Sequence, residues 1–213
     1  SEKMVIDFTQ PSQLRRFELI VEGKKLFVNQ HYMAELSPYF LALCFQPGFR
    51  EAEEGRVELV DVSFDDMHEL LHNICPNDDF MIESKISAAN FALLTHLSSR
   101  LLLTNLRREL EKCISSDSAI EAWVSDSTTS AQLVEMTVEI IAAGFDDESV
   151  NVLCKQLAKK DQIEVNELVQ KIPQEYKIII EPKIQGYVQY FKLTSTCHQL
   201  QRPMEHFHKR LFF

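Results

Sequence analysis

Apolar and polar positions alternate in short segments over the first third of the chain, then give way to a longer period. Phe17-Glu18-Leu19-Ile20-Val21 reads as a strand, Glu22-Gly23-Lys24-Lys25 as a turn, and Leu26-Phe27-Val28 as the return of a hairpin. Ser37-Pro38 predicts a helix start, with Ser as cap and Pro at the first helical position. Tyr39, Phe40, Leu43 and Cys44 follow at helical spacing, and Pro47-Gly48 ends the run. Arg56–Val62 alternates with period two and reads as a third strand. Ser63 then caps a helix whose apolar stripe is Phe64, Met67, Leu70, Leu71 and Ile74, stopped by Pro76 and a turn at Asn77-Asp78-Asp79. Ile86–Leu97 and Leu102–Ile114 predict two more amphipathic helices.

Beyond Ser115-Ser116-Asp117-Ser118 the strand signal vanishes. Ala119–Val124, Ala131–Ala143, Asp147–Lys159 and Val165–Ile172 all have helical periodicity, separated by breaks at 125–130, Gly144 and Pro173. Tyr176–Ile180 is β-branched and stays open between strand and helix. The longest unbroken apolar run is the seven residues Tyr39–Phe45. A membrane-spanning helix needs roughly 20, so none is expected.

Charge adds to this pattern. The 213 residues carry 22 Lys+Arg against 32 Asp+Glu, a net charge of −10. Such a surface repels phosphate and argues against nucleic-acid binding by the chain as a whole. The balance reverses locally: residues 183–213 hold five Lys/Arg and one acidic residue, whereas 117–181 hold five against thirteen. Arg202, Lys209 and Arg210 lie among Phe207, Phe212 and Phe213 in that tail. Docking of the tail on the acidic body or on a partner fits five cations better than RNA stacking does. The five cysteines are odd in number and lack a Cys-x-x-Cys pair. Reduced thiols and an intracellular location, cytoplasmic or nuclear, are expected, with no cofactor. No Gly-rich phosphate loop or nucleophile elbow points to an enzyme.

One motif runs against that reading. His68-Glu69-Leu70-Leu71-His72 places two imidazoles one turn apart with a Glu beside them, the pattern of a zinc hydrolase. A third ligand is required, and Pro76 ends the helix before one appears. The same helix needs its apolar stripe for burial, so zinc hydrolysis stands as a remote alternative.

The order of elements, and the words at those positions, resemble the BTB/POZ domain. They are Leu19-Ile20-Val21-Glu22-Gly23, Leu26-Phe27-Val28, Met33-Ala34-x-Leu36-Ser37-Pro38-Tyr39-Phe40, Gly48-Phe49-Arg50-Glu51, Val57-Glu58-Leu59-x-Asp61-Val62 and Leu70-Leu71-x-x-Ile74-Cys75-Pro76. The flavour is that of the large invertebrate set. The fold class implied is α+β: a BTB/POZ domain with a short mixed sheet flanked by helices, then an all-helical extension. The expected divisions are an N-terminal segment at 1–13, the BTB/POZ domain at 14–115, the extension at 116–182 and the basic aromatic tail at 183–213.

The resemblance implies a non-catalytic protein-interaction module that forms homodimers. Many family members bind cullin-3 and present a target for ubiquitination. Cullin binders carry a hydrophobic-x-Glu motif before the third strand, which Phe49-Arg50-Glu51 matches. The bland alternative is that Phe49 covers the core beneath Pro47-Gly48 and Glu51 is merely solvated. Ile6-Asp7-Phe8-Thr9 is similar to the short strand that some family dimers exchange, which puts Val5, Ile6, Phe8, Tyr32, Met33 and Leu36 at the expected dimer seam. Two positions depart from the family pattern: Arg16 stands where many members have Asp, and Asn29 where they have His. With no recognisable target-reading domain, a cullin-independent dimerisation scaffold in a regulatory or chromatin-associated complex is the main alternative.

Overall fold

A computed structural model describes residues 6–76, 85–125 and 127–200. Three strands, β1 (Phe17–Val21), β2 (Lys24–Val28) and β3 (Arg56–Leu59), form a mixed sheet in the order β2-β1-β3. β1 pairs antiparallel with β2, Val21 facing Lys24, and parallel with β3, Leu19 facing Val57. The hairpin closes through two residues, Glu22 and Gly23, both at positive φ (50° and 74°). That is the primed turn whose twist suits a two-residue hairpin. β3 is shorter than its alternation predicts. Asp61 adopts a left-handed φ of 58°, and the exposed Val60 gives its carbonyl to an Arg100 guanidinium nitrogen at 2.5 Å, so the chain leaves the sheet at Leu59.

Helices α1 (Gln30–Leu36), α2 (Pro38–Phe45), α3 (Arg50–Glu54) and α4 (Phe64–Ile74) lie around the sheet, followed by α5 (Phe91–Arg100) and α6 (Thr104–Cys113). Ser37 behaves as expected and more. Its hydroxyl accepts from the N–H groups of Tyr39 (3.1 Å) and Phe40 (3.3 Å), starting α2. The same hydroxyl donates to the Leu101 carbonyl, and its own N–H reaches the Met33 carbonyl that ends α1. With Ser37 only 1% exposed, Ser37→Ala removes a cap and strands a buried carbonyl. The expected loss is about 2–3 kcal/mol. It would be read from denaturant midpoints; a change below about 0.5 kcal/mol would mean that the link to Leu101 contributes nothing.

The second half is helical throughout its described residues: α7 (Asp117–Glu121), α8 (Ser130–Ala142), α9 (Asp147–Leu157), α10 (Gln162–Val169) and α11 (Gln174–Leu200). Caps predict several of these starts. Thr129 and Gln132 form a reciprocal capping box on α8, and Asp146 accepts from the Ser149 N–H at the start of α9. Tyr176–Ile180 is helix, and α11 runs through Pro182, so the division expected at 182/183 falls inside one helix. Its buried residues Ile180 and Ile184 are one turn apart. Pro182 sits on the exposed side between them, where the missing amide costs least.

No seam separates the halves. α5 packs on α6 and on α8, and α8 in turn on α9 and α10, so the buried side chains form one continuous cluster. Phe91 stacks on Trp123 with ring centroids 5.4 Å apart. Arg107 of α6 donates to the carbonyls of Ala143 (2.7 Å) and Gly144 (3.1 Å), satisfying the end of α8, while its guanidinium lies over Phe145. Asp117 and Glu121 of α7 pair with Lys155 of α9 and with Lys159 just beyond its end.

Candidate protein-interaction surface

The segment read as a loop before β3 is a short helix. Phe49 occupies its N-cap position with extended backbone and no side-chain cap, and Gly55 ends it in the left-handed region. This places Phe49 (37% exposed) outside the core and Glu51 half-buried one step into the first turn. Leu41 (52%) and Phe45 (39%) on α2 extend the exposed apolar area, and the His31 ring lies 4.9 Å from that of Phe45. Pro38, Leu41, Ala42, Phe45 and Gln46 line a shallow depression on α2. Leu41 and Phe45 fall off the helical stripe of Tyr39, Phe40, Leu43 and Cys44, the signal that could have marked them as outward within the longest apolar run.

The six expected seam residues separate. Phe8 (1%) and Met33 (0%) are covered by their own chain, and Ile6 is at 9%. In the single subunit these three belong to the core rather than to a free surface. Tyr32 and Leu36 are half-buried and line a groove of about 260 Å3 with Ile74, Leu103 and Leu106. The Tyr32 hydroxyl donates to the Ile74 carbonyl at 2.6 Å, and burial, before the neighbouring Cys75 and Glu35, pushes its pKa up to about 12. Val5 and the tail residues Arg202, Phe207, Lys209, Arg210, Phe212 and Phe213 lie outside the described residues. Arg16 and Asn29 face one shallow pocket beside Gly55, and Asn29 is occupied in capping α1 through the N–H groups of His31 and Tyr32.

His68 and His72 are neighbours, 4.5 Å between ring centroids. Among the described residues no three His, Cys, Asp or Glu side chains converge on a metal position. Glu69 accepts from the Asn73 amide (3.1 Å) and the Asn90 amide (3.0 Å), so it serves the packing of α4 on the turn before α5. Phe8 packs edge-on against His72 at 5.1 Å and lies 6.3 Å from His68. The thiols of Cys44, Cys75 and Cys154 are pushed up to about 11, 12 and 12 by burial, the opposite of an activated nucleophile. Among the described residues no helix is long and apolar enough to cross a membrane.

A family model for the BTB/POZ domain matches residues 8–118, a little over half of the chain. A curated relative, BTB and MATH domain-containing protein 38 of Caenorhabditis elegans, is 35% identical over 94 residues. That match covers 44% of this chain and 23% of the relative, so less than a quarter of the relative's length is represented.

Proposed function

We propose, from the premise that this chain belongs to the BTB/POZ domain family, that it is a dimeric adaptor joining a cullin-3 scaffold to a protein target for ubiquitination. BTB/POZ domains are protein-interaction and dimerisation modules, and the fold is not typically enzymatic. The finer reading rests on one observation: Phe49 stands exposed at the start of α3 with Glu51 two residues on. A large aromatic ringed by polar and acidic side chains is the form of an interface anchor. Phe49 would enter an apolar pocket on the cullin, and Glu51 would orient a polar group beside it. The acidic neighbours Glu53 and Glu54 would steer a basic partner, raising the on-rate more than the affinity. In this reading Tyr32 and Leu36 contribute to the dimer seam, and the helices from α8 onward support the cullin or hold the target. The location proposed is intracellular, cytoplasmic or nuclear.

The second reading, a cullin-independent scaffold, draws on the departures at Arg16 and Asn29 and shares every feature except the Phe49–Glu51 pair. Titration of the protein with the N-terminal domain of cullin-3 separates the two. The double variant Phe49→Ala/Glu51→Ala is expected to lose at least about 2 kcal/mol of affinity, roughly 30-fold. Absence of binding by the folded wild-type dimer would overturn the adaptor and leave the scaffold.

A further inference from the structure

Phe8 is an aromatic side chain near one end of the described chain, yet it is 1% exposed. Three contacts hold it. Its carbonyl accepts the Phe27 N–H at 2.7 Å, on the edge of β2 that β1 does not use. Its ring meets His72 edge-on at 5.1 Å and His68 at 6.3 Å, and His68 in turn stacks on Phe64 at 6.1 Å. Asp7 fixes the local turn by accepting from the Thr9 N–H (2.9 Å) and hydroxyl (2.5 Å). Residues 6–10 are therefore a strap, laid over two adjacent imidazoles and clipped to a sheet edge.

We propose that this strap is released by protons: charging His72 frees residues 6–10 from α4 and uncovers the outer edge of β2. The physical ground is reciprocity. With Phe8 in place, His72 sits between the rings of Phe8 and His68, which displace the water an imidazolium needs. Burial first, and the adjacent His68 second, hold its pKa below the ordinary value. A site that binds protons less well when the strap is docked loses the strap when protons bind. The sign follows: the docking stability is complete above the ordinary imidazole pKa of about 6.5 and falls as pH drops below it.

The charged groups around the pair favour this outcome. Arg15 lies over the Phe8 ring (5.7 Å) and Lys24 over the Phe64 ring (4.8 Å), and Lys85 faces His72 from the segment before α5. Against these stand Asp7 on the strap, facing His68, and Glu69 on α4, already engaged by Asn73 and Asn90. Glu22, too, accepts from the Phe64 N–H at 3.0 Å, so among the described residues three cations stand against three carboxylates, each already hydrogen-bonded, with no excess of negative charge to compensate an imidazolium.

The test is hydrogen exchange on the whole protein at pH 7.5 and 5.5, corrected for the intrinsic pH dependence of amide exchange. Protection of the Phe27 amide and of residues 6–10 is expected to fall about three- to tenfold at pH 5.5. The inner hairpin pair Leu19–Leu26 stays protected. In His68→Gln/His72→Gln the strap should stay docked at both pH values; if that variant does not fold, His72→Gln alone is read in the same way. Protection at Phe27 that ignores pH, a pH response retained without the imidazoles, or equal loss at Leu26 would overturn the proposal.

Discussion

Phe91→Ala is expected to lower stability by about 4 kcal/mol, and to do so for both halves of the molecule at once. Phe91 opens α5 and is fully buried. One of its faces is stacked on Trp123, whose indole N–H is fixed to the Cys113 carbonyl at 2.6 Å. The helix it begins is shared: α5 packs on α6 on one side and on α8 on the other. The cavity would therefore lie at the junction of the BTB/POZ domain and the helical part. For a protein of this size the thermal midpoint should fall by about 8–16 °C. Trp123 is the single tryptophan, and it reports on the junction by fluorescence while circular dichroism reports on all the helices. Coincident transitions in both signals are expected. Two separated transitions would mean that the halves unfold independently and that the continuous core does not couple them.

Met33→Ala should cost about 3 kcal/mol of folding stability and leave dimer affinity within about twofold of wild type. The residue lies on α1, among positions expected at a seam, but its side chain is 0% exposed within a single chain. Its carbonyl receives the Ser37 N–H, so α1 is also fixed by backbone at this point. Denaturation and sedimentation on the same samples separate the two roles. A dissociation constant raised tenfold with an unchanged midpoint would put Met33 at the seam instead.

Phe8 and Met33 also illustrate what was legible in the sequence. Apolar character marked both for burial, but hydrophobicity does not say whether a side chain is covered by its own chain or by a partner. The hairpin, the Ser37 cap and the α4 stripe were legible because each depends on local chemistry: period-two alternation, a hydroxyl before Pro, and apolar residues at helical spacing. α3 was not, since Arg50-Glu-Ala-Glu-Glu has no apolar periodicity. Its only signs are strong helix formers followed by Gly55. The end of β3 was overrun because alternation continues to Val62, while the left-handed backbone at Asp61 turns the chain away. α11 was obscured by β-branched Ile178, Ile179 and Ile180 and by Pro182. The decisive signal is the four-residue step from Ile180 to Ile184 onto α9, where tertiary packing overrides propensity. For the candidate surface, Phe49-x-Glu51 was noted as a motif, whereas Leu41 and Phe45 were distinguished only by falling off the helical stripe within a uniformly apolar run.

The core shared across α5 and α8 bears on how the protein is made. During synthesis α5 leaves the ribosome before the chain that covers it, because α8 begins at Ser130, 30 residues beyond Arg100. At about 5–20 residues per second, the face carrying Leu94 and Leu97 stays open to solvent for a few seconds. A nascent chain stalled within that stretch would present a bare leucine-rich helix with its partner unmade. Variants that slow translation between α6 and α8 should therefore aggregate or recruit chaperones, even when the finished molecule is unchanged.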